Sequence, residues 1–130
     1  MPERRSIKVG IPVSLTGQFR TQGEQALAGL QAWAADANLA GGILLDRLGA
    51  SLPVTVVHYD DASSPAQARD ATERLIAIDH VDILMGPYSG VLVRAAAQVA
   101  ESHEMLLWNQ GGASGNVYRR GNRWVVGILT

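Results

Sequence analysis

Two short segments have the composition of ligand-binding turns. Residues 86–90 read GPYSG and residues 111–115 read GGASG, so each combines glycines with a serine hydroxyl. Where such a turn leads from a strand into a helix, free backbone N–H groups and the helix dipole form an anion site. Ser89 would add a hydroxyl, and Gly90 would let a ligand approach the backbone closely. Ser89 fits an ordinary helix N-cap equally well, but two such loops on adjacent strands would form a polar trough for a small ligand.

Signs of catalysis are missing from the sequence. There is no nucleophile elbow, no P-loop and no HExxH pattern. His58, His80 and His103 lie far apart without the spacing of metal ligands, so we expect ordinary surface or strand-end positions for them. We therefore predict a protein that is not an enzyme and that holds no metal and no cofactor.

An acidic pair, Asp60 and Asp61, ends a β-branched run. An acidic residue at such a place can hold a ribose in dinucleotide-binding folds, but the first turn, LTGQFRTQG, lacks GxGxxG. A phosphate-accepting pair in a receiver domain would follow the first strand instead. We predict that the pair is structural, capping the next helix and tying down its loop.

Strand-like and helix-like apolar spacings alternate along the chain. Gly41 and Gly42 are expected to end the first helix, and Ser64-Pro65 to begin the second as N-cap and first residue. The predicted strands cover residues 7–14, 53–59, 81–85, 105–108 and 124–129, and the predicted helices cover residues 22–40, a segment from Pro65, and 89–103. Residues 110–122 are predicted as a Gly-rich loop with room for a short helix. Trp33, Trp108 and Trp124 are expected to pack in the core or an interface rather than to form a stacking platform.

This order of elements predicts an α/β fold with an open parallel sheet of about five strands. Right-handed crossovers give the strand order 2-1-3-4-5 with helices on both faces, as in Rossmann-like folds. Ligands of such sheets sit beyond the carboxyl ends of the strands, at the switch point between strands 1 and 3. The loops expected there are residues 15–23, 86–90 and 109–114.

Composition excludes several classes of protein. The 130 residues suit one domain, and a net charge of -1 without a basic block argues against nucleic-acid binding. No apolar run has membrane length, and the absence of cysteine excludes disulfides. Residues 1–5, MPERR, lead directly into a strand without a signal-peptide core, so we expect either a cytosolic protein or one whose export signal has been removed.

Six segments in a fixed order carry a resemblance to a known family: IKVGIPVSLTGQF, LAGLQAWAADANLAGGI, VVHYDDASSPAQA, DILMGPYSG, AAAQVAESHEMLL and WNQGGASGN. With them the chain resembles the leucine/isoleucine/valine-type periplasmic binding proteins, which are substrate-binding components of ABC transporters for amino acids and amides. The resemblance implies a type I binding-protein lobe, a small-molecule ligand, an ABC permease as partner, and a periplasmic or extracellular location.

The resemblance also implies which residues hold the main chain of an amino-acid ligand. They are backbone groups and hydroxyls of two loops and one side chain of the first helix, at Gln22, Tyr88, Ser89, Gly90, Gly111, Gly112 and Ala113. The family often has hydroxyl residues where Gly90 and Ala113 stand and an aromatic residue where Gln22 stands. Ser114 is the candidate to supply a hydroxyl instead, and the ligand class is left at amino acids, amides or similar small polar solutes.

The length of the chain restricts what the resemblance implies. Family members have two lobes joined by a hinge, and residues 1–130 correspond to the N-terminal lobe with the second lobe absent. We therefore expect a fragment whose uncovered last strand promotes a homodimer of the isolated lobe. The alternative is a ligand-sensing domain of a receptor or transcriptional regulator with the same fold, which would be cytoplasmic.

Overall fold

The structure is a computed structural model and describes residues 5–113, 115–118 and 121–128. Its elements in chain order are β1 (Ile7–Val13), α1 (Arg20–Leu39), β2 (Ile43–Leu45), β3 (Ala50–Leu52), β4 (Val54–Asp60), α2 (Pro65–Ala77), β5 (Ile83–Met85), α3 (Gly90–Ser102), β6 (Leu107–Asn109), a short 3-10 helix (Gly115–Val117) and β7 (Val125–Gly127). None of the helices within these ranges is long and apolar enough to cross a membrane.

Strand β1 organises a five-stranded sheet in the order β4-β1-β5-β6-β7. It pairs in parallel with β4 over its whole length, from Ile7 opposite Val54 to Val13 opposite Asp60, and with β5 on its other side. The remaining pairings, β5 with β6 and β6 with β7, are also parallel. Val, Ile and Pro fill most of β1, and β-branched residues favour extended backbone that is packed on both faces.

Helices cover both faces of this sheet. Helix α1 lies on one face, where Leu27 packs with Ile11 and Val13 of β1. Helices α2 and α3 lie on the other face, where Leu75 and Ala96 belong to one buried cluster with the strand residues Leu84 and Leu107. The alternation along β1 explains the division, because successive side chains of a strand point to opposite faces.

The predicted fold is confirmed: the main-sheet strands, counted along the chain, follow the order 2-1-3-4-5 with helices on both faces. Boundaries differ by a few residues. Helix α1 begins at Arg20 rather than Gln22, and β5, β6 and β7 have three residues each. Leu129, predicted to end the last strand, lies outside the described residues.

A small hairpin escaped the prediction. Strands β2 and β3 pair antiparallel, with Leu44 opposite Ser51, and form a separate two-stranded sheet. The turn between them is closed by the Leu48 and Gly49 N–H groups, which both donate to the Leu45 carbonyl at 3.0 Å. Strands of three residues are too short to show a period in the sequence, so only the glycine of the turn marks this hairpin.

Of the two expectations for Trp33, core or interface packing, the structure excludes the core. Trp33 lies on the surface of α1 and is 44% exposed. With Leu30, Met85, Trp108 and Ile128 it lines an open groove of about 350 Å³ between α1 and the β5–β7 side of the sheet. Since α1 packs over β1 and β4, this part of the sheet face is left without a helix above it in the described part of the chain.

Two glycines of α1 provide a matched test of helix docking. A Cβ at Gly23 would overlap the Ser14 carbonyl oxygen, whereas a Cβ at Gly29 would meet no described atom within 4 Å apart from the backbone of its own helix. We expect Gly23→Ala to destabilise the fold by about 2 kcal/mol or more, because backbone atoms must move apart. Gly29→Ala should stabilise it by about 0.5–1 kcal/mol through helix propensity. Urea unfolding measures both, and equal effects of the two variants would contradict the close α1–β1 approach.

Candidate functional site

The turn after β5 and the loop after β6 lie against each other, as the sequence predicted. The Ser89 N–H donates to the Gly111 carbonyl at 3.1 Å, and Tyr88 and Gly111 form an isolated parallel bridge. The Gln110 side-chain amide donates to the Gly86 carbonyl at 2.8 Å. Parallel neighbours end at the same edge of a sheet, so β5 and β6 deliver both segments to one place.

Ser89 is the N-cap of α3 and has an unusual backbone. Its φ is 76° and its ψ is 137°, values that residues other than glycine rarely adopt. Such conformations cost about 1–3 kcal/mol and are concentrated at binding and catalytic sites. Among the described residues the Ser89 side chain makes no capping hydrogen bond, so its hydroxyl is not engaged by the helix that it precedes.

The first turn of α3 offers backbone donors. The first intrahelical bond runs from the Val93 N–H to the Ser89 carbonyl at 3.0 Å. The N–H groups of Gly90 and Val91 precede that bond and have no partner within a helix. Both residues lie at the positive end of the α3 dipole, which favours a negatively charged group. Val91 was not among the residues predicted from the sequence.

The loop after β6 directs two of its N–H groups inward. The Gly112 and Gly111 N–H groups donate to Oδ1 of Asn109 at 2.8 Å and 3.3 Å. The N–H groups of these two glycines are therefore not available to a ligand, and the glycines can contribute only by allowing a ligand to approach the backbone closely. Ala113 is exposed, and within the described ranges its N–H has no partner. Ser114, predicted as a source of a hydroxyl, lies outside the described residues.

The start of α1 adjoins the same turn. The Tyr88 ring packs edge-on against the Phe19 ring, with centroids 5.5 Å apart, and Phe19 is the residue before α1. Gln22 lies in the first turn of α1, and its Oε1 is buried without a partner in the described part of the chain. The structure thus brings the predicted segments of Tyr88, Ser89 and Gly111 into contact and places Gln22 on the adjoining helix.

The acidic pair joins two further loops at this end of the sheet. Asp61 is fully buried, and its Oδ1 accepts the Ser14 hydroxyl at 2.6 Å and the Ser63 N–H at 2.9 Å. Its Oδ2 is buried without a partner in the ranges described. Burial raises the pKa of Asp61, although the hydrogen bonds from Ser14 and Ser63 act in the opposite direction.

Asp60 has the opposite environment. Its carboxylate accepts the Leu15 and Ala62 N–H groups and the Thr16 hydroxyl at 2.7–2.9 Å. Partial burial acts to raise its pKa, but these hydrogen bonds outweigh burial and lower it. The predicted structural role in tying down loops is confirmed. The prediction that the aspartate pair caps α2 is wrong, because the N-cap of α2 is Ser64. Among the described residues, the Ser64 side chain makes no capping hydrogen bond.

Metal binding finds no support in the described residues. They contain no group of three or more His, Cys, Asp or Glu side chains that could hold a metal ion. His103 instead pairs with Glu73 on the helical surface, at 2.9 Å, and His80 is exposed.

Comparison with known proteins gives the family. A family model described as "Periplasmic binding protein" matches residues 6–127. The chain belongs to the periplasmic binding protein family. Members of this family are solute-binding proteins rather than a class of enzymes, and the resemblance to the leucine/isoleucine/valine type is confirmed.

Similar curated proteins include "Leu/Ile/Val-binding protein homolog 8" of Brucella abortus, 29% identical over 92% of the chain and 28% of that protein. The "Leu/Ile/Val/Thr-binding protein" of Salmonella typhimurium is 27% identical over 92% of the chain and 31% of its own length. The chain therefore spans about a third of the length of these relatives.

Solved structures agree in fold. A branched-chain amino acid transporter substrate binding protein of Streptococcus pneumoniae, in complex with isoleucine, superposes with a TM-score of 0.84. It is 24% identical and covers 95% of this chain and 33% of its own. A leucine binding protein of Thermotoga maritima gives a TM-score of 0.77 at 20% identity, covering 94% of this chain and 32% of its own.

The two aspartates predict opposite pH dependence. Since the folded pKa of Asp61 is raised, its contribution to stability is present below the unfolded pKa and is lost as the pH rises through the folded pKa. Asp61→Asn removes this loss. We therefore expect the melting temperature of the variant minus that of the wild type to increase as the pH rises from about 4 towards neutrality.

Asp60→Asn is the matched control. The folded pKa of Asp60 is lowered, so its contribution is present above the unfolded pKa and is lost as the pH falls through the folded pKa. The melting temperature of this variant minus that of the wild type should decrease as the pH rises. The same slope for both variants would contradict the two environments described above.

Proposed function

We propose that this chain is the first lobe of a two-lobed solute-binding protein that delivers an amino acid, an amide or a similar small polar solute to an ABC permease outside the cytoplasm. It acts by binding and not by catalysis. The observation that carries the proposal is the junction of the α3 N-terminus with the loop after β6, where the Ser89 N–H meets the Gly111 carbonyl. Membership of the family and the names of the relatives support the class of solute.

The junction suits a carboxylate. The N–H groups of Gly90 and Val91, the Ser89 hydroxyl and the Ala113 N–H are donors without partners among the described residues. Hydrogen bonds from such donors to a charged acceptor are about twice as strong as those between neutral groups. Gly90 has no Cβ to keep the solute away from the backbone. An ammonium group on the same solute would find its acidic partner on the second lobe.

The lobe alone should bind weakly. Tight small-molecule sites bury most of the ligand surface, and this trough covers only one side of a solute. With ¹⁵N-labelled chain and L-isoleucine as the probe, we expect a dissociation constant of about 1 mM or weaker. The amide signals of Gly90, Val91 and Ala113 should shift during the titration. 2-Methylbutylamine, which lacks the carboxylate, is the control, and equal shifts with both compounds would reject the carboxylate site.

The Ser89 hydroxyl provides a direct test. Ser89→Ala should weaken L-isoleucine binding by about 1 kcal/mol or more, that is about fivefold or more, because a hydrogen bond to a charged group is lost. Ser102 lies at the other end of α3, where its hydroxyl donates to the Val99 carbonyl at 2.8 Å. Ser102→Ala is therefore the control and should leave the titration unchanged. Equal effects of the two variants would contradict the placement of the solute.

We also propose that the 130-residue chain pairs with a second copy of itself through its open apolar face. The groove near Trp33, Trp108 and Ile128 has no charged side chain among the described residues that line it, so two identical faces can meet there without electrostatic repulsion. The edge strand β7 lies beside it, with Val126 37% and Ile128 56% exposed. An uncovered edge next to an apolar patch favours pairing between chains.

Sedimentation velocity over a dilution series tests this pairing. We expect reversible dimerisation of the wild type, and Ile128→Lys should weaken it at least tenfold by burying a charge in the interface. Ile78 is 67% exposed at the end of α2, away from the groove, so Ile78→Lys is the matched control. A wild type that stays monomeric at high micromolar concentration would refute the proposal.

A further inference from the structure

Asn109, the last residue of β6, has no exposed surface and forms four side-chain hydrogen bonds. Its Oδ1 accepts the N–H groups of Gly112 at 2.8 Å and of Gly111 at 3.3 Å. Its Nδ2 donates to the Gly112 carbonyl at 2.7 Å and to the Tyr118 hydroxyl at 2.7 Å. A carboxamide has two donor hydrogens and two acceptor lone pairs, so this side chain is satisfied completely.

These bonds set the path of the loop after β6. With the Gly111 and Gly112 N–H groups turned towards Asn109, the Gly111 carbonyl is left to accept the Ser89 N–H at 3.1 Å. Gly112 lies so close to α3 that a Cβ on it would be 2.6 Å from the Val93 side chain. The loop therefore packs closely against the first turn of α3, and its hydrogen bonds to the Asn109 carboxamide maintain the distance between the two segments.

The same residue also connects the loop to β7. The Asn109 carbonyl accepts the Ile128 N–H at 3.1 Å, and Tyr118, which binds its Nδ2, packs against Gly127 of β7. A change in the Asn109 side chain would thus be transmitted to the loop on one side and to the last strand on the other.

We propose that Asn109 is a positioning residue of the solute site: it holds Ala113 and the first turn of α3 at the spacing at which one carboxylate reaches both. The proposal rests on the proposed function, since it assigns a role within that site. An aspartate of the same shape cannot replace it, because a carboxylate oxygen in place of Nδ2 would face the Gly112 carbonyl at 2.7 Å without a hydrogen between them.

A second side-chain amide that binds backbone, that of the exposed residue Asn38, supplies the control. The Asn38 side chain in α1 donates to the Val54 carbonyl at 3.0 Å and accepts the Val54 N–H at 2.7 Å. It therefore clamps backbone as Asn109 does, but at the amino end of β4, away from the loops at the carboxyl ends of the strands. Asn38→Asp and Asn109→Asp both remove an amide that donates to a backbone carbonyl. An effect of losing any such clamp should appear in both variants, and an effect on the loop after β6 should appear only in Asn109→Asp.

The experiment compares these variants in two measurements at neutral pH. Hydrogen exchange in the solute-free chain should accelerate at least about tenfold at the Ser89, Gly111 and Gly112 amides in Asn109→Asp and not in Asn38→Asp. L-Isoleucine titration should show affinity reduced about fivefold or more for Asn109→Asp only. Unchanged exchange in Asn109→Asp, or an equal loss of affinity in Asn38→Asp, would overturn the proposal.

Tyr118→Phe keeps the test decisive if Asn109→Asp does not fold. It removes one of the four bonds and should accelerate exchange at the Gly112 amide, and unchanged exchange and affinity would overturn the proposal. Failure of the proposed function is distinguishable from failure of this inference. A wild type that does not bind L-isoleucine rejects the solute site, whereas the exchange measurement needs no solute and still decides whether Asn109 holds the loop.

Discussion

The hydrogen bond from the Ser89 N–H to the Gly111 carbonyl is the interaction on which the arrangement of the site depends. It continues the pairing of β5 and β6 beyond the ends of the strands, after the Gly86 N–H has bonded to the Trp108 carbonyl at 2.8 Å. Because parallel strands must end at one edge, a turn and a loop that are remote in sequence become neighbours. Among the described residues of this turn and loop, the N–H groups of the α3 first turn and of Ala113 are left without partners after this bond. The donors that the proposed function assigns to the solute therefore lie close together.

Two locally unfavourable features lie at this end of the sheet, beside the candidate site. Ser89 has a positive φ of 76°, and Asp61 has a fully buried carboxyl with one oxygen unpaired in the described residues. Such features persist only where surrounding structure over-determines them. The Ser89 carbonyl accepts a hydrogen bond from the Val93 N–H, and the Ser89 N–H donates one to the Gly111 carbonyl. Helix α3, which follows Ser89, is anchored in the core by fully buried alanines. The buried core therefore offsets the cost of the turn conformation.

The main sheet could be predicted because its elements have clear periods. Val9, Ile11 and Val13 alternate in β1, and the long helices carry apolar stripes, so strand order follows from the handedness of the crossovers. The β2–β3 hairpin could not be predicted, because three-residue strands have no period. The choice between core and interface for Trp33 could not be predicted for a different reason: its spacing puts it beside the apolar stripe of α1, but spacing does not reveal where that helix lies on the sheet.

For the candidate site, the sequence predicted which turn and which loop take part, but not the residue that holds them in place. The glycines and Ser89 marked the turn and the loop, whereas Asn109 looks like any asparagine before a Gly-containing turn. Its importance depends on Tyr118, nine residues further on, whose hydroxyl reaches Nδ2 at 2.7 Å only after the chain has folded back. Contacts that form only in the tertiary structure leave no local pattern in the sequence. The glycines of the loop could therefore be recognised from the sequence, whereas the role of Asn109 could not.

Under the proposed function, the donors at the junction between the α3 N-terminus and the loop after β6 also determine which solutes the chain can discriminate. The backbone N–H groups of Gly90, Val91 and Ala113 are the same chemical group whatever side chain a solute carries. In the proposed function they recognise a carboxylate and are indifferent to the rest of the molecule, apart from the space that Gly90 leaves open. Selectivity among solutes must then come from side chains such as Tyr88 and Gln22, and from the surface that closes over the trough. On this proposal, a change of solute requires substitutions around the junction, and the junction itself can stay unchanged.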